Sequence, residues 1–138
     1  MGSLDWRARE LIVHTSRTKR SADFIAHLEQ LDRLYGPRPG APCAKPVVLV
    51  LDNGPIHVSK ASRAQLQARE HWLTVEWLPK YAPELNDIEI VWGQLKSGHL
   101  AHQTFADHHH LERAIHAAVI DLNHQRNRHP LGNQRIPA

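Results

Sequence analysis

The chain has 138 residues, of which 41% are hydrophobic, and a formal net charge of +3 with its histidines neutral. Its single cysteine excludes an internal disulfide and suits a reducing cytoplasm, and no apolar run approaches the ~20 residues of a membrane span. The length suits one compact domain with a core of ordinary size, and the positive charge is compatible with a polyanionic partner.

Strand-like and helix-like segments alternate along the chain, which predicts an α/β fold. Apolar side chains at helical spacing predict a first helix capped by Ser21, and an irregular Gly/Pro-rich connector follows over residues 36–46. The apolar run Val47–Leu51 predicts a strand buried on both faces, as in a parallel sheet. The remaining predicted elements are a helix over 59–71, a strand over 73–78, a helix around Glu89 and a last helix over about 107–125.

Asp52 directly follows the predicted strand, where the carboxyl end of a parallel strand would leave the sheet. Ligand sites in parallel sheets lie beyond these ends. Asp52 is therefore either a functional ligand or a cap for the Asn53-Gly54 turn, and its position alone does not choose between them.

Glu89 lies in the first turn of an amphipathic helix. Asn86, three residues earlier, completes a capping-box pattern with it. Glu89 is therefore either a cap or an acid that faces the mouth of the sheet, and the two roles can coexist. The apolar stripe that would pack against the sheet is Ile88, Val91, Trp92 and Leu95.

The two acidic motifs together resemble the catalytic core of bacterial insertion-sequence transposases of the DDE superfamily, relatives of mariner elements. The matching strings are VLDNGPIH and, about three dozen residues after Asp52, LPKYAPELNDIEIVWGQLK. Two positions depart from the family's pattern, since Asp87 replaces a proline and Ala82 a serine. The resemblance implies a ribonuclease H-like mixed sheet flanked by helices, as in retroviral integrase, with Asp52 and Glu89 among the catalytic acids.

The resemblance also implies metal-dependent DNA strand cleavage and strand transfer. Asp52 and Glu89 would hold Mg²⁺ or Mn²⁺, hard cations that prefer carboxylate oxygens, and the loop residues Asn53 and His57 would support them. Further implications are dimers or larger assemblies, a bacterial cytoplasmic location near the nucleoid, and neither a membrane nor a nucleotide cofactor. Cations near the two acids would contact the DNA backbone, namely Lys60, Arg63, Lys80 and Lys96.

By the same resemblance, Leu4-Asp5-Trp6 and residues 11–14 look like the family's second and third strands, joined by a tight turn near residues 7–9. The family's first strand and its first catalytic Asp have no counterpart here, and Asp5 lies on the wrong strand to replace that acid. We therefore expect an amino-terminally truncated fold, with residues 1–126 as a partial DDE transposase catalytic domain and residues 127–138 as a flexible tail. The alternative is a non-catalytic DNA-binding or dimerising transposase fragment, which would carry the same motifs.

Overall fold

Two small sheets and five α-helices make up the part of the chain that the computed structural model describes, residues 1–41 and 46–128. The predicted α/β class is confirmed. The chain divides into two compact units: unit 1 contains Met1 and residues 14–86, and unit 2 contains residues 2–13 and those from Asp87 on. None of the described helices is both long enough and apolar enough to cross a membrane.

Unit 2 begins with an antiparallel hairpin of strands β1 (Gly2–Asp5) and β2 (Glu10–Val13). Asp5 closes its turn, because one carboxylate oxygen accepts hydrogen bonds from the backbone N–H groups of Arg7 and Ala8, each 2.8 Å long. This is the usual role of an Asp before a tight turn. The hairpin predicted for this segment is confirmed.

Two helices of unit 2 pack on this hairpin, α4 (Ile88–Gln94) and α5 (His108–Arg128), and a π-helical turn (Leu95–His99) follows α4. The predicted stripe of α4 is confirmed, since all of its members lie in or against the core. Helix α5 reaches beyond its predicted end, and the rest of the predicted tail, residues 129–138, lies outside the described residues. The buried core side chains are those of Leu11, Val13, Val91, Leu95, Ala118, Val119 and Leu122.

Asn123 of α5 binds the backbone of β2 with both ends of its amide. Its Oδ1 accepts a hydrogen bond of 2.7 Å from the N–H of Leu11, and its Nδ2 donates one of 3.1 Å to the C=O of Leu11. Leu11 is buried, so two polar backbone groups that would otherwise lose water are both satisfied.

Unit 1 contains a parallel pair of strands, β3 (Val47–Leu51) and β4 (Leu73–Trp77), in which Val47 lies beside Leu73 and Leu51 beside Trp77. The crossover between them holds helices α2 (Pro55–Val58) and α3 (Lys60–Gln67), and α3 ends earlier than predicted. Helix α1 (Ser21–Tyr35) packs against both of these helices. The element order β3-α-β4 is the one that parallel pairing requires.

Helix α1 begins one residue earlier than a Ser21 cap requires, so that prediction is wrong. The cap position is Arg20, whose backbone N–H donates a 2.7 Å hydrogen bond to the side chain of Asp23. The hydroxyls of Ser16 and Thr18 donate to the same carboxylate. Hydrogen bonds from Ser16, Thr18 and Arg20 favour the ionised form and lower the pKa of Asp23 to about 2.

We predicted that strand β3 is buried on both faces, and this prediction is wrong. Val48 is 59% exposed and Val50 is 50% exposed. These valines lie beside the exposed Thr74 and Glu76 of β4, whereas Leu51 on the other face is buried. In the described part of the chain the strands form two separate two-stranded sheets rather than one mixed sheet. With β4 as its one described neighbour and only one face covered, β3 leaves alternate side chains in solvent.

An ion pair joins α1 to the turn that follows α3. The Nε of Arg69 lies 2.9 Å from both carboxylate oxygens of Asp32, and its Nη2 lies 2.6 Å from one of them. Its Nη1 donates to the backbone and side-chain oxygens of Gln65, each at 2.8 Å. Arg69 is only 9% exposed, so these partners replace the water that its guanidinium loses.

Candidate active site

Asp52 emerges directly from the carboxyl end of β3, and its two carboxylate oxygens have different surroundings. Oδ1 lies 2.8 Å from the backbone N of Gly54 and 2.8 Å from Nδ1 of His57. No described group hydrogen-bonds Oδ2, and the side chain of Asp52 is 52% exposed. The loop thus fixes one oxygen and leaves the other open to a ligand.

The carboxylate of Asp52 closely approaches the backbone of Gly54. A Cβ at position 54 would lie 2.8 Å from Oδ1 of Asp52, closer than nonbonded carbon and oxygen atoms approach. The same residue caps α2, and the N–H of His57 donates to its C=O at 2.9 Å. The turn through Asn53 and Gly54 brings His57 back to Asp52.

The contacts around Asp52 also set its charge. Partial burial would raise the pKa of Asp52, but the hydrogen bonds from Gly54 and His57 act in the opposite direction and together lower it below its ordinary value. Because an ionised carboxylate has no proton to give, Nδ1 of His57 carries the proton and donates it. The carboxylate of Asp52 is therefore an anion at neutral pH.

His57 is held from two sides. Its ring packs against Phe24 of α1, with 4.6 Å between ring centroids. A chain of hydroxyl hydrogen bonds fixes the following turn: Ser21 donates to Ser59 at 2.8 Å, Ser59 donates to Ser62 at 2.9 Å, and the fully buried Ser62 donates to the C=O of Ile56. Helices α1 and α3 thus both position the Asp52 loop.

A second histidine near this loop, His27 of α1, is buried and hydrogen-bonds Gln30 at 3.1 Å. Burial lowers the pKa of His27 to about 4, because the charged imidazolium would lose its hydration. His27 is therefore neutral at physiological pH and adds no positive charge beside Asp52.

Asn53 connects the loop to the neighbouring strand. Its Nδ2 donates a hydrogen bond to the C=O of Leu78, the residue after β4. Because Leu78 in turn donates its N–H to Leu51 at 2.8 Å, the carboxyl ends of β3 and β4 are tied together. The structure gives Asn53 a role in holding the loop.

Glu89 lies exposed in the first turn of α4, in unit 2. The capping-box alternative is not realised, since α4 starts at Ile88 after Asp87 and no side-chain cap bond is formed there. Asn86 instead ends a 3-10 turn over Pro83–Leu85, and its N–H donates to Pro83 at 3.0 Å. The carboxylate of Glu89 has no hydrogen-bond partner among the described residues.

All four cations predicted to contact DNA are exposed. Lys60 opens α3, close along the chain to the Asp52 loop, and Lys80 follows β4. Lys96 lies in the π-helical turn of unit 2. Arg63 lines a groove beside β4. None of them forms an ion pair with an acidic side chain in the described ranges, so each can take an external anion.

Sequence reasoning missed the residues that position His57. Phe24 was recognised as an apolar member of α1, but nothing local indicated that it would pack on an imidazole far along the chain. Ser62 lies in the first turn of a helix, and no pattern marked it as buried. Only the packing of α1 on α2 and α3 brings these side chains to the loop.

The chemistry of Asp52 suits a hard divalent cation, because its half-exposed carboxylate is ionised and its Oδ2 accepts no hydrogen bond from a described residue. Asp52 belongs to unit 1 and Glu89 to unit 2, and each is described within its own unit. Over residues 1–41 and 46–128, no group of three or more His, Cys, Asp or Glu side chains is arranged to hold a metal ion.

Most of this chain matches one known protein family. The family model described as DDE superfamily endonuclease matches residues 1–112, which is well over half of the chain and includes Asp52, Asn53, His57 and Glu89. A search of curated proteins found no match.

Proposed function

This chain belongs to the DDE superfamily endonuclease family, and from that premise we propose that it cuts and joins DNA strands as the catalytic part of a bacterial insertion-sequence transposase. The observation that carries the proposal is the carboxylate of Asp52, ionised at the end of β3 with one oxygen fixed and the other open. We place its described elements in a ribonuclease H-like catalytic domain over residues 1–126.

Asp52 and Glu89 would hold Mg²⁺ or Mn²⁺ in this proposal. Cleaving a phosphodiester requires an activated oxygen nucleophile and neutralisation of the negative charge that develops at phosphorus, and a bound divalent ion supplies both. Asp52 contributes an oxygen that stays deprotonated because Gly54 and His57 stabilise the anion. Glu89 contributes an exposed carboxylate from the first turn of α4.

His57 acts as a positioning residue. Its proton on Nδ1 fixes the orientation of the Asp52 carboxylate, and Phe24 prevents the imidazole from turning away. A neutral ring with its proton on Nδ1 leaves the lone pair of Nε2 for a hydrogen bond from substrate or water. Partners that orient a metal-binding carboxylate typically change metal affinity or activity by about 10–100-fold when replaced.

DNA is the proposed partner, and Lys60, Lys80 and Lys96 would bind its phosphates. They lie near the two acids in the sequence, are exposed, and carry no competing ion pair within the described ranges. Contacts of this kind position a backbone without reading its sequence. The proposed activity on DNA would take place in the bacterial cytoplasm, at the nucleoid. The active form would be an assembly of at least two copies.

A plasmid-nicking assay with Mn²⁺ and Mg²⁺ tests the proposal. The parent chain is compared with Asp52→Asn and Glu89→Gln, and with Glu84→Gln as a matched control that neutralises another exposed carboxylate. We expect metal-dependent nicking by the parent and by Glu84→Gln, and its loss in the other two variants.

Two results would overturn it. Equal nicking by all four proteins would mean that Asp52 and Glu89 are not the metal ligands. DNA binding without cleavage under either metal, by a chain shown to be folded, would favour the non-catalytic fragment instead. The nicking rate of His57→Phe should lie between those of the parent and Asp52→Asn, and higher metal concentrations should recover part of its activity.

A further inference from the structure

An open groove of about 690 Å³ lies between α3 and β4 of unit 1, and Asn53 of the Asp52 loop also lines it. Three exposed residues of α3 and the turn after it form one wall, and β4 forms the floor. Trp77, at the end of β4, is 39% exposed. The lining residues include Arg63, Gln67, Glu70, Leu73, Val75 and Trp77.

The edge of β4 at this groove presents unpaired backbone groups. Val47 donates its N–H to the C=O of Trp72, and Leu78 donates its N–H to that of Leu51. Successive residues of a strand point their backbone groups to opposite sides. The N–H and C=O groups of residues 74 and 76 therefore point toward β3, and those of residues 73, 75 and 77 point away from β3, toward the groove. The N–H of Leu73 binds Arg69 at 2.8 Å, and the other outward groups have no partner among the described residues.

Such an edge is a template for another strand. An added strand would hydrogen-bond the N–H and C=O groups of Val75 and Trp77. Its side chains would lie between α3 and the sheet, where they would cover Leu73, Val75 and Trp77. The groove therefore suits an extended segment with alternating apolar side chains.

The charges on the groove wall indicate which extended segment would bind there. Helix α3 leads back from the end of β3 to the start of β4, so Glu70 lies beside the start of β4 and Arg63 toward its end. Helix-like hydrogen bonds continue from the end of α3 to Glu70, so the separation of Arg63 and Glu70 is about 10 Å at a helical rise, close to the ~13 Å from Leu73 to Trp77 along a strand. Neither side chain has an ion-pair partner in the described part of the chain. The groove is thus positive at one end and negative at the other.

We propose that β4 pairs antiparallel with β4 of a second copy of this chain, across a two-fold axis at Val75. In this arrangement Val75 lies beside Val75 of the second copy, and Leu73 lies beside Trp77. Reversing the direction of the second copy also brings its Glu70 to Arg63 and its Arg63 to Glu70. A two-fold interface must be self-complementary in this way. Arg63, which we predicted as a DNA contact, then binds a carboxylate.

Charge reversal tests the pairing and does not depend on the proposed nuclease function. Arg63→Glu and Glu70→Arg each place like charges together at both ends of the interface, so either variant alone should raise the dimer dissociation constant about tenfold or more. An equimolar mixture of the two should dimerise like the parent, because every contact in the mixed dimer again joins opposite charges. Sedimentation velocity over a concentration series measures all three samples.

Matched controls separate this effect from net charge and from folding. Lys60→Glu and Glu29→Arg make the same charge changes at exposed positions outside the groove lining, and they should dimerise like the parent. Val75→Pro removes one outward N–H while sparing the ladder to β3, so it should weaken the dimer, whereas Val75→Thr should not. Circular dichroism melts show which variants are folded.

The proposal is overturned if the parent is monomeric at every concentration, if both charge variants dimerise as the parent does, or if their mixture fails to recover the dimer. An edge that bound only an unrelated peptide or DNA would also leave the parent monomeric and would overturn it.

Discussion

The ion pair between Arg69 and Asp32 allows a prediction with a sign and a size. Asp32→Ala would leave a 9%-exposed arginine whose remaining partners come from Gln65. Breaking a fully buried pair costs about 3–5 kcal/mol. The side chain of Asp32 is 36% exposed, so solvent already screens part of the interaction, and we expect a loss of about 2–3 kcal/mol in unfolding free energy.

The reverse change should cost less. Arg69→Met keeps the apolar stem packed and leaves a carboxylate that can recover hydration through its exposed side. We expect a loss of about 1–2 kcal/mol, mainly from the lost hydrogen bonds. The asymmetry arises because only the first variant strands a charge inside the protein.

Urea unfolding can measure both values in unit 1. Trp72 is buried three residues after Arg69 and donates its N–H to the C=O of Arg69 at 3.1 Å, so its fluorescence reports on this region once the other three tryptophans are replaced by Phe. Glu29→Ala, on the exposed side of α1, serves as the control and should change the free energy by less than about 0.5 kcal/mol. A loss in Arg69→Met equal to or larger than that in Asp32→Ala would refute the reasoning.

Three further predictions concern single side chains. His57→Phe removes a hydrogen bond to Asp52, so the lowered pKa of Asp52 should rise in a carboxyl NMR titration, and an unchanged pKa would contradict the contact. In the parent, the ionised carboxylate stabilises the fold at pH values above the ordinary Asp pKa. This stabilisation is lost as the pH falls through the pKa of Asp52 in the folded protein. Because burial lowers the pKa of His27 to about 4, the unfolded chain binds this proton first, so stability should fall as pH drops from about 6.5 toward 4; His27→Leu should flatten that slope in pH-dependent melts, and an unchanged slope would assign it elsewhere. Asn123→Leu leaves the N–H and C=O of Leu11 unsatisfied and should cost about 2–4 kcal/mol in urea unfolding, against little for the exposed neighbour His124→Leu; similar losses in the two would show that the amide does not pair with β2.

Features encoded by neighbouring residues could be predicted from the sequence. The order of strands and helices, the apolar stripe of α4 and the position of Asp52 beyond β3 all follow from residues within a few turns of each other. The burial of β3 could not be predicted in the same way. Five apolar residues indicate a strand, but which of its faces is covered depends on elements that the string itself does not contain.

The surroundings of Asp52 and Glu89 show the same difference between local and long-range signals. The Asp52 loop depends on Asn53-Gly54 and His57, which are local, and the sequence singled them out. Phe24 and Ser62 reach that loop through helix packing and carry no local signal. At Glu89 the local signal misled, because the 3-10 turn over Pro83–Leu85 engages Asn86 and shifts the helix start to Ile88.

The side-chain amide of Asn123 controls how one backbone proton of β2 exchanges with solvent. The N–H of Leu11 belongs to a strand, yet it is held by a helix side chain rather than by β1. Its deuterium uptake should therefore follow the release of α5, while the N–H groups bonded within the hairpin follow separation of the two strands. A difference between these exchange rates would measure how often α5 leaves the hairpin in the otherwise folded protein.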